Sequence, residues 1–429
     1  MNIFGKNVVI YGGGISGLSA YDLVKEKGGR VMIYDDYDRP HTTSSTGVFA
    51  RADIIVLSPG ISSGNKYVLD ARLEGKTVIG EIELASHFCQ GEQIAVTGTN
   101  GKTTTVKLID YILKSAHVNS HAVGNIGVAF SSIADHLDAL DTAVIEVSSF
   151  QLESVRNFSP DYAVLLNIKP DHLERHETLE RYISAKANIF LHQYDCDVVV
   201  YNADDENIVG LVPYMKAQKV PFSMSKPVDG AYISSGFVCY KGMPIVEIAD
   251  IDFEGVELEN VLASVAVVMH KGISRYTVAS ALCSFSRPQF RRTMVAELSG
   301  VKIFNDSKAT NVSSVVSAIS AMEGETVLLI GGAKRKENFD ELFASLDKKV
   351  VAVVAFGENK TDILSSAGKF GIQIELTDSM EECVNRGFEL AKTIGAKNLL
   401  FSPASKSFDS FSNYEERGRH FDKLVRALK

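Results

Sequence analysis

The sequence predicts an α/β protein of three domains: an N-terminal Rossmann-like domain, a central domain of the phosphate-loop ATPase type and a C-terminal Rossmann-like domain. Three observations lead there. Short apolar runs alternate with helical patterns along the whole chain, as in parallel sheets flanked by helices. Two of these runs break into glycine turns, Gly12-Gly13-Gly14-Ile15-Ser16-Gly17 and Gly98-Thr99-Asn100-Gly101-Lys102-Thr103-Thr104. A length of 429 residues exceeds one hydrophobic core, so two to four domains are required. The boundaries are expected at residues 1–90, 91–284 and 285–429.

Composition narrows the function classes. A net charge of −9 and no long Lys/Arg block argue against nucleic acid as a partner, so anionic ligands must be met by local sites. The five cysteines are odd in number, far apart and without a CxxC pair, which fits a reducing compartment; they are expected to be packing residues. Val8-Val9-Ile10-Tyr11 is too short for a signal peptide, and no later run reaches membrane-spanning length. A cytoplasmic monomer without membrane insertion is expected.

In the first third, Asn7-Val8-Val9-Ile10-Tyr11 reads as a buried parallel strand and Leu18 to Lys27 as a helix. The glycines between them fit the dinucleotide fingerprint, and Asp35 and Asp36 close the next strand, Arg30 to Tyr34, where an acid would meet a ribose. This module should hold a nucleotide diphosphate; the alternative is a Rossmann-like scaffold with no ligand. Asp53 to Ile61 reads as a further strand ending in a turn, and Val78 to Leu84 leads into a short helix, so a small parallel α/β sheet ends near Gln90.

The middle third opens on Ala95-Val96-Thr97 and the second glycine turn. Small residues after a strand let backbone N–H groups point at a phosphate; Lys102 adds a charge, and the helix that follows adds its positive dipole end. Thr103 or Thr104 can offer a hydroxyl to magnesium. Val96 stands where the standard spacing has glycine, so the match is to a shortened form. In Thr142 to Ser149, Glu146 is a single carboxylate near the end of an apolar strand, either a magnesium partner or an edge residue facing water. His172 follows the strand Tyr162 to Ile168 and is either a metal ligand or a packing residue. Lys186, on a helix expected over Leu179 to Gln193, reads on its own as solvated surface. Ser223 to Asp252 reads as β-hairpins, Leu258 to Lys271 as a helix with Asn260 near its start, and Cys283 to Arg292 as the hinge into the last module.

The last third repeats the alternation, with strands at Val301 to Asn305, Thr326 to Ile330, Val350 to Ala355 and Asn398 to Phe401. The tip Gly331-Gly332-Ala333-Lys334-Arg335-Lys336 gathers cations that suit a carboxylate, or forms an ordinary charged loop.

These pieces in this order resemble the Mur ligase family, the ATP-dependent amino-acid ligases of peptidoglycan precursor synthesis, and within it the members that add D-glutamate. The resemblance rests on Gly98 to Thr104, Gly124-Asn125-Ile126-Gly127, Glu146 to Glu153, Asp171-His172, Asn305 to Asn311, and Ser402-Pro403-Ala404 with Ser407, Phe408, Asp409 and Phe411. It implies that Gly98, Thr99, Asn100, Gly101, Lys102, Thr103 and Thr104 hold the ATP phosphates, with Lys102 catalytic. It also implies that Thr103, Glu146, His172 and a carbamylated Lys186 serve a magnesium site. By the same resemblance Gly14, Ile15, Ser16 and Asp35 sit at the UDP end of the substrate, and Asn125 at its muramoyl part. Asn260 falls at the adenine end, Asp306 and Lys308 near the nucleotide, and Arg335, Ser407 and Tyr414 at the incoming D-glutamate. Arg291 and Arg292 compete as counterparts of the family's hinge arginine, and Val256-Glu257 replaces its usual His-Asn.

The implied reaction starts from ATP and UDP-N-acetylmuramoyl-L-alanine. Its carboxylate attacks the γ-phosphorus, and the amine of D-glutamate then displaces phosphate from the acyl phosphate. Closure of the last domain about the hinge would bring the two sites together. Rival readings are another amino-acid-adding Mur ligase, a folylpolyglutamate synthase-like enzyme, a nucleotide-gated binding protein, and a dehydrogenase, which leaves the second glycine turn unexplained.

Overall fold

The computed structural model describes the chain except residues 38–41, 44, 254, 286–289, 321, 335–338, 347–348 and 429, and except the side chains at 174, 256, 313, 317 and 320. It forms two compact units, Met1–Phe253 with Glu257–Phe285, and Glu254–Val256 with Ser286–Lys429. The first two expected domains thus share one unit, each with its own sheet.

The first sheet is parallel, in the order β2-β1-β3-β4, from β1 (Asn7–Tyr11), β2 (Arg30–Tyr34), β3 (Ile54–Leu57) and β4 (Thr77–Gly80). Both of its faces are covered, which is why β1 is an unbroken apolar run. Val8 and Ile10 enter one core with Leu23 and Val24, while Val9 and Tyr11 enter another with Tyr34 and Phe49.

The second sheet has nine strands: β5 (Glu92–Thr97), β6 (Ser120–Gly124), β7 (Thr142–Glu146), β8 (Tyr162–Leu165), β9 (Val198–Asn202), β10 (Gln218–Ser223), β11 (Ala231–Ser234), β12 (Phe237–Tyr240) and β13 (Met243–Glu247). Their order is β13-β12-β11-β10-β9-β8-β5-β7-β6. From β5 the chain runs to β6 at one edge, and from β8 it runs to β9 on the other side, so a crevice opens at the carboxyl ends of β5 and β8. The helix Leu258–His270 is buried nearly all round, as its apolar composition requires, and shares a core with the helix Lys102–Ser115.

In the second unit a six-stranded sheet runs β14-β15-β19-β16-β17-β18, from β14 (Thr293–Leu298), β15 (Val301–Asn305), β16 (Thr326–Gly331), β17 (Val350–Phe356), β18 (Ile374–Leu376) and β19 (Asn398–Phe401). Only the β14–β15 pair is antiparallel. Of the strands that periodicity leaves unmarked, β6, β14 and β18 end a sheet, where half-exposed residues blur the apolar signal, and β10, inside its sheet, is broken by Pro221 and the exposed Gln218 and Lys219.

Several expectations need correction. The helix carrying Lys186 stops at Ala187, where turns replace it. The segment after Ser223 adds β11 parallel to β10, and only β11, β12 and β13 form the expected antiparallel hairpins. All five cysteines are free, and Cys239 and Cys383 are buried packing residues, but Cys196 and Cys283 are exposed.

The two sheets of the first unit are joined by backbone and carboxylate contacts. Gly80 N donates to Ser154 O (2.9 Å), and Glu83 accepts from the backbone of Arg156 and Asn157 (3.0 Å each). Glu81 Oε1 accepts from Ser131 N (2.7 Å), and Glu81 Oε2 and Ser131 Oγ are buried with no hydrogen-bond partner among the described residues. Burial holds the Glu81 carboxyl above its ordinary value. The folded state therefore keeps a proton that the unfolded state has lost, and stability falls as pH rises from the ordinary carboxylate value through the raised one. Glu81→Gln offers Ser131 both an acceptor and a donor. Melting curves between pH 5 and 8 should show a higher midpoint and a flatter slope for the variant; an unchanged slope would mean that Glu81 is not the group titrating.

Candidate active site

The phosphate-loop turn lies at the carboxyl end of β5. Its geometry depends on Gly101, whose φ of +85° and position against Asn260 leave no room for a side chain: an added Cβ would lie 2.0 Å from Asn260 Oδ1. Asn260, from the buried helix, also accepts from Thr105 Oγ1 (3.3 Å), so it braces the turn from behind. The other side is held by the chain after β8. Thr99 N donates to Asn167 O (2.9 Å) and Asn100 N to Asn167 Oδ1 (2.8 Å). Lys102 Nζ donates to the carbonyls of Gly98 (2.8 Å) and Thr99 (2.9 Å).

Glu146 ends β7 beside this turn and is 3 % exposed, which removes the water-facing reading. Its carboxylate accepts from Thr103 Oγ1 (2.6 Å) and from Asn125 Nδ2 (3.1 Å). Thr104 Oγ1 is buried and has no hydrogen-bond partner among the described residues.

Lys186 is not on the surface as its helix alone suggests. It is 1 % exposed, and its Nζ donates to Gly98 O (2.9 Å), the carbonyl that Lys102 also uses. Tyr182, one turn earlier, lays its ring 4.7 Å from the ammonium and pairs its hydroxyl with Thr99 Oγ1 (3.1 Å). Burial first, and the Lys102 charge second, hold the Lys186 ammonium well below the ordinary lysine value, against an opposing pull from Asp171 and Glu146.

His172 has a left-handed backbone (φ +56°), lies 3.8 Å from Asp171 Oδ2 and meets the Phe150 ring edge-on at 4.6 Å. Its neighbour His176 is bound between Glu153 Oε1 (3.2 Å) and Ser149 Oγ (3.0 Å). Among the described residues, one group of three His, Cys, Asp or Glu side chains brings its ligand atoms within 4.8 Å, namely Glu26, Asp135 and His136, and Lys27 already pairs with Asp135.

At the first sheet, the glycine turn packs as the fingerprint requires. A Cβ on Gly17 would lie 1.8 Å from Gly12 O, while one on Gly14 would meet nothing within 4 Å. Ile15 is 69 % exposed and starts the helix Ile15–Glu26, with Ser16 next. Asp35 is buried and accepts from Gly13 N (2.6 Å) and Tyr37 N (2.9 Å), so it shapes the turn itself.

In the second unit, Asp306 is buried and accepts from Ser402 Oγ (2.7 Å) and Arg292 N (3.2 Å). Burial pushes its carboxyl up to about 7, with Ser402, Arg291 and Arg292 pulling the other way. Arg291 Nε is buried without a partner among the described residues. Lys308 Nζ stands 5.2 Å over the Tyr414 ring, and Tyr414 O accepts from Ser307 Oγ (2.8 Å). Ser407 is buried, and its carbonyl accepts from Phe411 N (2.8 Å). Arg335 and Lys336 lie outside the described residues.

Sequence reasoning passed over Asn167, Tyr182 and the fully buried Arg417, whose guanidinium donates to Ser307 O (2.8 Å) and Ser405 O (2.9 Å). A usable signal existed for Tyr182, four residues before Lys186 and hence on its helix face. Asn167 and Arg417 act through backbone atoms that are distant in sequence, which no local pattern reveals.

A glycine turn opening a helix at a parallel sheet's crevice, with a buried strand-end carboxylate facing its hydroxyl, is the architecture of a phosphate-loop protein. Residues 96–268 match the Mur ligase middle domain and residues 291–401 the Mur ligase glutamate ligase domain. The UDP-N-acetylmuramoylalanine–D-glutamate ligase of Caldanaerobacter subterraneus is 35% identical over 451 residues, covering 100% of both chains. That of Bacillus subtilis is 35% identical over 445 residues, covering 99% of this chain and 98% of its own. The chain belongs to the Mur ligase family. In fold it is similar to the UDP-N-acetylmuramate-alanine ligase of Thermotoga maritima (TM-score 0.63, 19% identity, 99% and 100% covered). The same holds for the MurF ligase of that organism, solved in complex with ADP (TM-score 0.61, 19% identity, 99% and 96% covered).

The two glycines of the first turn should separate in experiment. Gly17→Ala should destabilise by roughly 1–3 kcal/mol through overpacking, read as a lower unfolding midpoint. Gly14→Ala, where an added Cβ meets nothing, should leave the midpoint unchanged. Equal midpoints for the two variants would contradict the packing described.

Proposed function

We propose that this chain is an ATP-dependent ligase that forms the amide between UDP-N-acetylmuramoyl-L-alanine and D-glutamate in peptidoglycan precursor synthesis. The observation that carries this reading is the full-length similarity to D-glutamate ligases. In this reading residues 1–90 receive the UDP substrate, 91–284 the ATP and 285–429 the amino acid, in a cytoplasmic monomer.

The substrate carboxylate attacks the γ-phosphorus of ATP; the P–O bond to ADP breaks and an acyl phosphate forms. The chain's work here is positioning and neutralising charge. The turn from Gly98 to Thr104, held to Asn167 through Thr99 N and Asn100 N, and the helix start at Lys102 receive the phosphates, and Lys102 shifts its ammonium from the loop carbonyls to them. The amine of D-glutamate then adds to the activated carbonyl, loses a proton, and expels phosphate from the tetrahedral intermediate. Asn260 stands at the adenine end, Arg291, Asp306 and Lys308 near the nucleotide, and Arg335, Ser407 and Tyr414 at D-glutamate. Gly14, Ile15, Ser16 and Asp35 serve the UDP end, and Asn125 the muramoyl part.

Magnesium fits the donors present: Thr103 Oγ1 and the Glu146 carboxylate meet at 2.6 Å, and the buried Thr104 Oγ1 lacks a partner. Thr103, Glu146 and the associated His172 would hold the ion, and the chemistry it would supply there is neutralisation of charge on the phosphate oxygens. Lys186 completes the set as a carbamate. Burial depresses its basicity, so the ammonium gives up a proton more readily; the lone pair so exposed adds to carbon dioxide as a second proton leaves, and an anion then stands beside Lys102 where the unmodified side chain places a cation.

Phosphate release with ATP, magnesium and UDP-N-acetylmuramoyl-L-alanine should depend on D-glutamate and not on other D- or L-amino acids; release with none of them would refute the ligase reading. Enzyme kept free of carbon dioxide should lose activity and regain it with bicarbonate. Lys186→Ala should lower kcat roughly 10²-fold or more and show no response to bicarbonate, and a response from the variant would place the carbamate elsewhere.

A further inference from the structure

We propose that Arg175 is a positioning residue that couples the ligand crevice of the first sheet to the phosphate loop, so that filling one changes affinity at the other. The proposal rests on the ligase reading for the identity of the two ligands. Arg175 sits on the four-residue helix Leu173–His176, bracketed by His172 (φ +56°) and Glu177 (φ +67°), two non-glycine residues in left-handed conformations that persist only where the surroundings hold them.

The guanidinium ties this helix to both sheets, beside the contacts of His176 with Glu153 and Ser149. Nη1 donates to Pro59 O and Nη2 to Ile61 O, each at 3.0 Å, in the turn that follows β3. That turn lies against the glycine turn of the first sheet, since Ser58 Oγ donates to Gly12 O (2.9 Å). Toward the second sheet, Nε and Nη2 grip Glu153 at 3.1 and 2.7 Å, and the group lies 4.2 Å over the Phe150 ring. Glu153 also binds His176, whose ring meets Tyr182 at 5.1 Å, and the Tyr182 hydroxyl reaches Thr99 in the phosphate loop. His176 Nε2 meanwhile holds Ser149 Oγ, three residues beyond Glu146. One planar fork thus touches the edge of the first crevice and the start of a chain of contacts ending in the second.

The sheets do not need Arg175 to stay together, because Gly80, Glu81 and Glu83 already join them. Arg175 instead bonds backbone carbonyls of the turn at the ligand-facing end of β3, where small shifts matter for binding. Lysine cannot replace it, since a single ammonium cannot reach acceptors on both edges of the fork in one plane.

Full-length wild type, Arg175→Lys and Arg175→Met are compared by calorimetry, titrating UDP-N-acetylmuramoyl-L-alanine, and separately UDP, with and without saturating ADP. Phosphate-release kinetics and melting curves accompany them. In the wild type ADP should change affinity for the UDP ligand about fivefold or more. Both variants should lose that change while keeping affinity for each ligand alone, the melting midpoint and the KM for ATP. Their kcat should fall roughly 10- to 100-fold. Wild type without coupling, variants that keep it, or a uniform loss of binding that follows a lowered midpoint would each overturn the proposal. If the wild type releases no phosphate, the ligase reading fails, and the UDP and ADP titrations still decide the role of Arg175.

Discussion

Two lysine side chains converge on the Gly98 carbonyl, and much of the first unit follows from accommodating them. Lys102 comes from the helix that the loop opens, and Lys186 from a helix beyond β8. Burial, and then the half-buried Lys102 charge beside it, lower the basicity of Lys186. Tyr182 supplies a ring face to that ammonium, and Glu146 supplies a carboxylate nearby that is bound by Thr103 and Asn125.

The sheets place these groups by the same device in both ligand regions of the unit. Each has a strand order that reverses about its first strand, and each first strand ends in a glycine turn closed by contacts from the neighbour across the crevice. At β1 the neighbour is β3, which contributes Ser58; at β5 it is β8, which leads to Asn167. The turns are therefore shaped by tertiary contacts as much as by their own glycines.

This explains what could and could not be read from sequence. Parallel strands buried on both faces are continuous apolar runs, so β1, β5, β7, β8 and β9 are plain in the sequence, as are the two glycine turns. Edge strands such as β6 and β14 are half polar and were not distinguished. Lys186 shows the harder limit. Nothing in Ser184-Ala185-Lys186-Ala187-Asn188 marks a buried lysine, because its burial is decided by a loop nearly ninety residues earlier in the chain, and family resemblance alone singled it out. Asp35 shows a contribution that spacing does not reveal, since it also accepts from the Gly13 and Tyr37 amides and so shapes the turn beside it.

The contact of Asn260 with Gly101 also bears on how this fold tolerates change. The asparagine stands on a helix packed into the core on almost every side, so the shape of the anion-binding turn is inherited from core packing and not chosen locally. A substitution deep in that helix, far from any ligand, would lower the fraction of molecules with a receptive turn and weaken apparent affinity in the same proportion. Selection for nucleotide affinity therefore acts on the interior of the protein as well as on its surface, and drift in this core is constrained by ligand binding before stability is exhausted.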